Sequence, residues 1–140
     1  MPQRKNKLLI DADYLVALYF TQDSGHDWSF KIAQKIEKEN TPVVISSPAF
    51  GEAVTVLSQR AGKPIAITTA EYILNNPIEI IEVTPSLRKS ALKWSAQTKS
   101  KNTRFTDCIN MAILDTWKSK IIVSRDKHYF QCGFQRLGID

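Results

Sequence analysis

Four short runs of β-forming residues punctuate this chain: Leu8 to Ile10, Val43 to Ser46, Glu79 to Val83 and Ile121 to Ser124. Longer segments of helical period separate them. Strands joined through helices run parallel, because a parallel pair needs a crossover long enough to return the chain to the same end of the sheet. The expected fold is therefore a three-layer α/β/α architecture with a central, mostly parallel sheet of four or five strands. Phe134 to Leu137 would supply the fifth. Crossovers of this kind are right-handed and place helices on both faces.

The helical segments are expected over Ala12 to Phe20 and Trp28 to Glu39, with Gly25 in the break between them. Phe30, Ile32, Ala33 and Ile36 give the second segment its apolar face. Ser47 is expected to cap the next helix, with Pro48 at its first position and Gly62 near its end. A shorter helix is expected near Thr69 to Leu74, another from Pro85 and Ser86 to about Thr98, and a last one over Phe105 to Lys118.

A length of 140 residues and 43% apolar content suit one domain spanning the whole sequence, which has no internal repeat or low-complexity segment. No stretch approaches twenty apolar residues, so no membrane span is expected. The basic lead MPQRKNK runs into an apolar stretch carrying two aspartates, which does not suit a signal peptide, and a cytoplasmic location is expected. Cys108 and Cys132 have no neighbouring histidines at zinc spacing and read as reduced packing residues. A net charge of +5 favours a polyanionic partner, a balance shared with many proteins that touch no nucleic acid.

Ligands of parallel α/β sheets bind beyond the carboxyl ends of the strands, and that rule selects among the acids. Asp11 directly follows LLI, and Asp126 stands in the same relation to IIVS. Glu52 lies early in the helix after the second strand. Asp107 opens the helix before the fourth, and a crossover helix running antiparallel to the strands starts at their carboxyl ends. Four acids can thus converge on one edge. Carboxylates about 4 Å apart repel by roughly 4 kcal/mol per pair at an effective dielectric near 20, so a cation is expected among them. Oxygen ligands suit magnesium or manganese rather than zinc. The bland alternative is that these acids are helix caps and solvated charges.

The segments LLIDADYLVALYF (8 to 20), SSPAFGEAVTVLSQR (46 to 60), RFTDCINMAILDTW (104 to 117) and IIVSRDKHYF (121 to 130) together resemble the PIN-domain family, and more closely its toxin members of the VapC type. The resemblance covers nearly the whole chain and matches Asp11, Glu52, Asp107 and Asp126 to the family's acids. It implies hydrolysis of RNA phosphodiesters with magnesium, or manganese as substitute. Asp11 and Asp107 would be direct ligands, while Glu52 and Asp126 would bind directly or through water, one of them orienting the nucleophile. It further implies a small antitoxin covering the acidic site, and a homodimer. The chain departs from the family at Ala12 and Asp13, where Thr-Asn or Thr-Ser is frequent. Asp13 either adds a ligand or holds the turn. Ser124 and Thr106 are auxiliary candidates for hydrogen bonding into the site.

Lys99, Lys101 and Arg104, with Arg125 and Lys127, are candidates for receiving substrate phosphates, or are solvated loop charges. His26 and His128 read as surface or capping residues, and Trp28, Trp94 and Trp117 as core or interface. Two other functions fit some of the same residues. Asp11 and Asp13 resemble the nucleophile and acid/base pair of haloacid-dehalogenase-like phosphatases, although the late region has no adjacent acidic pair. A non-catalytic RNA-binding protein of PIN-like fold is the other.

Overall fold

Residues 7–140 are described by the computed structural model. The strands are β1 (Leu8–Ile10), β2 (Val43–Ser46), β3 (Glu79–Ile81), β4 (Ile121–Ile122) and β5 (Gln135–Arg136). The helices are α1 (Ala12–Tyr19), α2 (His26–Glu39), α3 (Ser47–Arg60), α4 (Lys63–Asn75), α5 (Pro85–Gln97), α6 (Phe105–Trp117) and α7 (Lys127–Gln131). The expected class is observed, with every strand pair parallel.

The sheet itself is less continuous than expected. β1, β2 and β3 form one three-stranded ladder, and β4 and β5 form a separate pair. An isolated bridge between Ile10 and Val123 joins the two at β1. Two bonds accompany it, Asp11 N to Val123 O at 3.0 Å and Val123 N to Leu9 O at 2.9 Å. The ladder goes no further than Val123 because the chain beyond it bonds elsewhere: Arg125 N donates to the Asp13 carboxylate and Asp126 N to the Ser124 hydroxyl. These interruptions lie where the candidate acids sit.

Alternation along the strands divides the core into two layers. Leu9, Val44, Ile81 and Ile122 face α5 and α6, meeting Ala91, Met111, Ile113 and Leu114. Ile10, Ile45, Ile80 and Val123 face the other way, toward Leu15, Ile32, Ala49, Ala53 and Ile73 from α1 to α4. The tryptophans are partly buried against these layers, as packing residues should be. Cys108 and Cys132 are free thiols, the first buried.

Three local features depart from expectation for identifiable reasons. Ser46 rather than Ser47 caps α3, its hydroxyl accepting from Ala49 N at 3.4 Å. α4 begins at Lys63, well before Thr69, because Gly62 reverses the chain at φ 101° and Pro64 pre-sets the first turn. α7 was not anticipated, since its five residues are too few to show a helical period and its start rests on the Asp126 cap. Among the described residues, no helix is long and apolar enough to cross a membrane.

Burial makes the β2 side chains sensitive to truncation. Ile45 is 0% exposed and Leu92, also apolar, is 64% exposed. In urea denaturation, Ile45→Ala is expected to lower stability by about 2–5 kcal/mol, and Leu92→Ala by less than about 0.5 kcal/mol.

Candidate active site

At the carboxyl ends of the strands lies a cleft of about 420 Å³, lined by Asp11, Asp13, Glu52, Asp107 and Asp126 together with Asp23, Arg60, Arg104, Arg125 and three apolar residues. The four acids expected to converge do share this cleft, and Asp13 shares it with them. Their positions follow from local structure. Asp11 ends β1 and caps α1, accepting from Ala12 N at 2.8 Å. Asp126 caps α7, accepting from His128 N at 2.9 Å. Asp107 sits in the first turn of α6 and accepts from Arg104 N at 3.1 Å. Glu52, Val56 and Arg60 recur every fourth residue along α3 and line the cleft from one helix face.

Two buried hydroxyls tie the carboxylates together. The Tyr129 hydroxyl lies 2.9 Å from Asp11 Oδ2 and 3.3 Å from Asp107 Oδ1, and the side chain is 0% exposed. The Ser124 hydroxyl lies 3.3 Å from Asp11 Oδ2 and 3.2 Å from Asp13 Oδ2. Each hydroxyl has one proton, so each serves one of its two carboxylates at a time. Asn110 supplies further donation, its Nδ2 lying 3.3 Å from Asp11 Oδ1 and 3.0 Å from the Tyr129 oxygen. Arg125 N completes the frame by donating to Asp13 Oδ2 at 2.7 Å. Asp13 Oδ1 is buried and has no partner.

Not every candidate reaches the cleft. Lys99 lines a separate groove with His128 and Cys132, while Lys101 is exposed on the loop before α6. Lys127 is exposed at the first position of α7, about 100° around the helix from its neighbour. Thr106 neither lines the cleft nor bonds its acids among the described residues. Arg104 does line it, yet its guanidinium pairs with Glu52. Asn110, Tyr129, Asp23 and Arg60 were missed in the sequence. Asn110 follows Asp107 by three residues, Tyr129 follows Asp126 by three and Arg60 follows Glu52 by eight, so helical spacing from each acid was the available signal.

Burial, with the neighbouring charges of Glu52 and Asp126, pushes the Asp11 carboxyl up to about 6 against the bonds from Ala12 and Tyr129. Burial and then the Asp11 charge raise Asp13 to about 7. Burial and then Asp11 and Asp126 raise Asp107 to about 7. Oxygen donors crowded this closely, with one buried oxygen unpartnered, fit a hard divalent cation. A mixed group is also present, since ligand atoms of Asp107, Asp126 and His128 lie within 4.8 Å of one another.

These raised values carry a stability consequence. The folded acids hold protons more tightly than unfolded ones near 3.8, so their contribution is fully present below that value and is lost as pH rises through about 6 to 7. In chelator, the melting temperature is expected to fall between about pH 5 and about pH 8, and Asp13→Asn is expected to flatten the fall. Millimolar magnesium should raise the melting temperature more at the upper pH than at the lower. A profile unchanged by both would contradict the crowding.

Residues 8–135 match the PIN domain family model. No match is found among curated proteins. Among solved structures, VapC20 of Mycobacterium tuberculosis, a sarcin-ricin loop cleaving toxin, aligns with a TM-score of 0.80 and 21% sequence identity over 93% of this chain and 98% of that one. At that identity the likeness establishes a shared fold. Because the family match runs from the first residue of β1 to the first of β5, this chain belongs to the PIN domain family.

Proposed function

We propose that this chain is a magnesium- or manganese-dependent endoribonuclease that hydrolyses RNA phosphodiester bonds, acting in the cytoplasm as the toxin of a toxin–antitoxin pair. One observation carries the reading: six carboxylates, those of Asp11, Asp13, Asp23, Glu52, Asp107 and Asp126, share a single cleft in a chain whose net charge is +5. A fold that concentrates acids at one point while remaining basic elsewhere suits a cation-dependent reaction on a polyanion. Family membership and the fold shared with a toxin support the same reading.

In this proposal Asp11 and Asp107 hold the cation directly, and Glu52 and Asp126 hold it directly or through water. Bound there, a divalent cation lowers the pKa of water and offsets charge on the phosphoryl oxygens and the leaving group. The chain's own groups do the positioning. Tyr129 and Ser124 keep the carboxylates of Asp11, Asp107 and Asp13 at fixed spacing through the hydroxyl contacts described above. Glu52 and Asp126 are less buried, with side chains 28% and 30% exposed, so water reaches them, and one of them orients the attacking water. Arg104, beside Glu52 at the rim, engages a substrate phosphate with its remaining N–H donors. A homodimer and an antitoxin segment seated over the acids complete the proposal.

The sarcin-ricin loop, which VapC20 cleaves, is the first RNA to test. Cleavage is expected with magnesium, loss of cleavage with chelator, and recovery with manganese. Asp11→Asn and Asp107→Asn are each expected to lower kcat about a hundredfold or more. Cleavage that persists in chelator, or an intact pool of every RNA supplied, contradicts the proposal.

A further inference from the structure

Asp23, in the turn between α1 and α2, lines the same cleft as the acids together with Arg60 and Arg125. Its side chain is 9% exposed, and both oxygens are engaged by cations. Oδ1 accepts from Arg125 Nη2 at 3.1 Å and from Gly25 N at 2.7 Å, and Oδ2 accepts from Arg60 Nη1 at 3.3 Å. One carboxylate between two guanidinium groups leaves one positive charge in excess.

Several independent contacts hold Arg125 in this position. Its Nη1 donates to the Ser24 hydroxyl at 3.4 Å, and its guanidinium carbon lies 5.9 Å from the Trp28 ring centre. A Cβ on Gly25 would lie 2.5 to 2.8 Å from guanidinium atoms, so any other residue there would displace the guanidinium from this position. The Arg125 Nε is buried without a partner. Arg60 arrives from the end of α3, two turns beyond Glu52. Ion pairs as exposed as these contribute little to stability, with Arg60 at 56% and Arg125 at 36% side-chain exposure. Asp23 uses one N–H of each guanidinium and Ser24 a second one of Arg125, leaving the remaining Nη donors for a ligand. A phosphate entering beside five carboxylates needs fixed cations, and arginines ordered in advance bind it with less entropy lost.

We propose that Arg60 and Arg125, held by Asp23, form a phosphate subsite for the RNA backbone, receiving a phosphate next to the one cleaved. The inference rests on the ribonuclease reading. Asp23 is a positioning residue and touches no substrate itself. The lysines expected to fill this role lie outside the cleft.

The test measures binding of a fluorescent single-stranded RNA across a salt series, in an Asp11→Asn background that stops turnover. Arg60→Ala and Arg125→Ala should each weaken binding about tenfold and reduce the salt slope by about 0.7. Arg60→Lys should keep the slope and lose part of the affinity. Lys38→Ala, on exposed α2, should change neither. Asp23→Asn separates position from charge: removing a negative charge alone would tighten binding, whereas losing the arginine geometry weakens it. In the active chain the arginine variants should raise KM and spare kcat. Unchanged slopes in both alanine variants, or tighter binding by Asp23→Asn, overturn the subsite. If the arginine effects hold while no RNA is cleaved, the arginines stand as an RNA-phosphate site and it is the ribonuclease reading that fails.

Discussion

Asp11, Asp13 and Asp107 are withdrawn from water at the ends of parallel strands, and their mutual repulsion is the constraint that the surrounding structure answers. Two hydroxyls, from Tyr129 and Ser124, each stand between a pair of these carboxylates. The Asn110 amide and the backbone N–H groups of Ala12, Arg104 and Arg125 donate as well, yet the answer is incomplete, because Asp13 Oδ1 remains buried without a partner. Burial, and with it the charge of neighbouring carboxylates, raises the proton affinity of all three acids. The interrupted sheet belongs to the same answer, since the ladder ends where Ser124 and Arg125 turn to Asp13 instead of extending it.

Much of this was legible in the sequence because strand ends are legible. β1 and β2 fall where their apolar runs predict, and the acids following β1 and β4 inherit their positions from those runs. Asp107 followed from the direction of a crossover helix. Asp13 was ambiguous for a physical reason: its partners, Ser124 and Arg125 N, lie more than a hundred residues away, and only the bridge between Ile10 and Val123 brings them near. Tyr129 follows Asp126 by three residues, but α7 is too short for its sequence to declare the helix that gives this spacing meaning. The basic residues were the least legible, because charge does not reveal direction. Lys99 and Lys101 sit on an exposed loop, whereas Arg60, inconspicuous at the end of a helix, reaches the cleft.

The cleft thus has a division of labour among its charges. A buried acidic interior is framed by hydroxyls and backbone amides, and arginines line its wall, each paired with an acid: Arg104 with Glu52, and Arg60 and Arg125 with Asp23. Pairing limits the attraction between the cationic wall and the acidic interior, which would otherwise draw the guanidinium groups in among the carboxylates. It also suits a polyanionic substrate, which needs oriented cations near, but not within, the acidic centre.

Manganese soaked into crystals of the metal-free protein tests this view most directly. Anomalous density is expected among Asp11, Asp107, Glu52 and Asp126, at about 2.0–2.4 Å from carboxylate oxygens, with the Tyr129 hydroxyl still bonded to one of the two aspartates it bridges. A soak at millimolar manganese that leaves the cleft without anomalous density, or places the ion on another face, contradicts it.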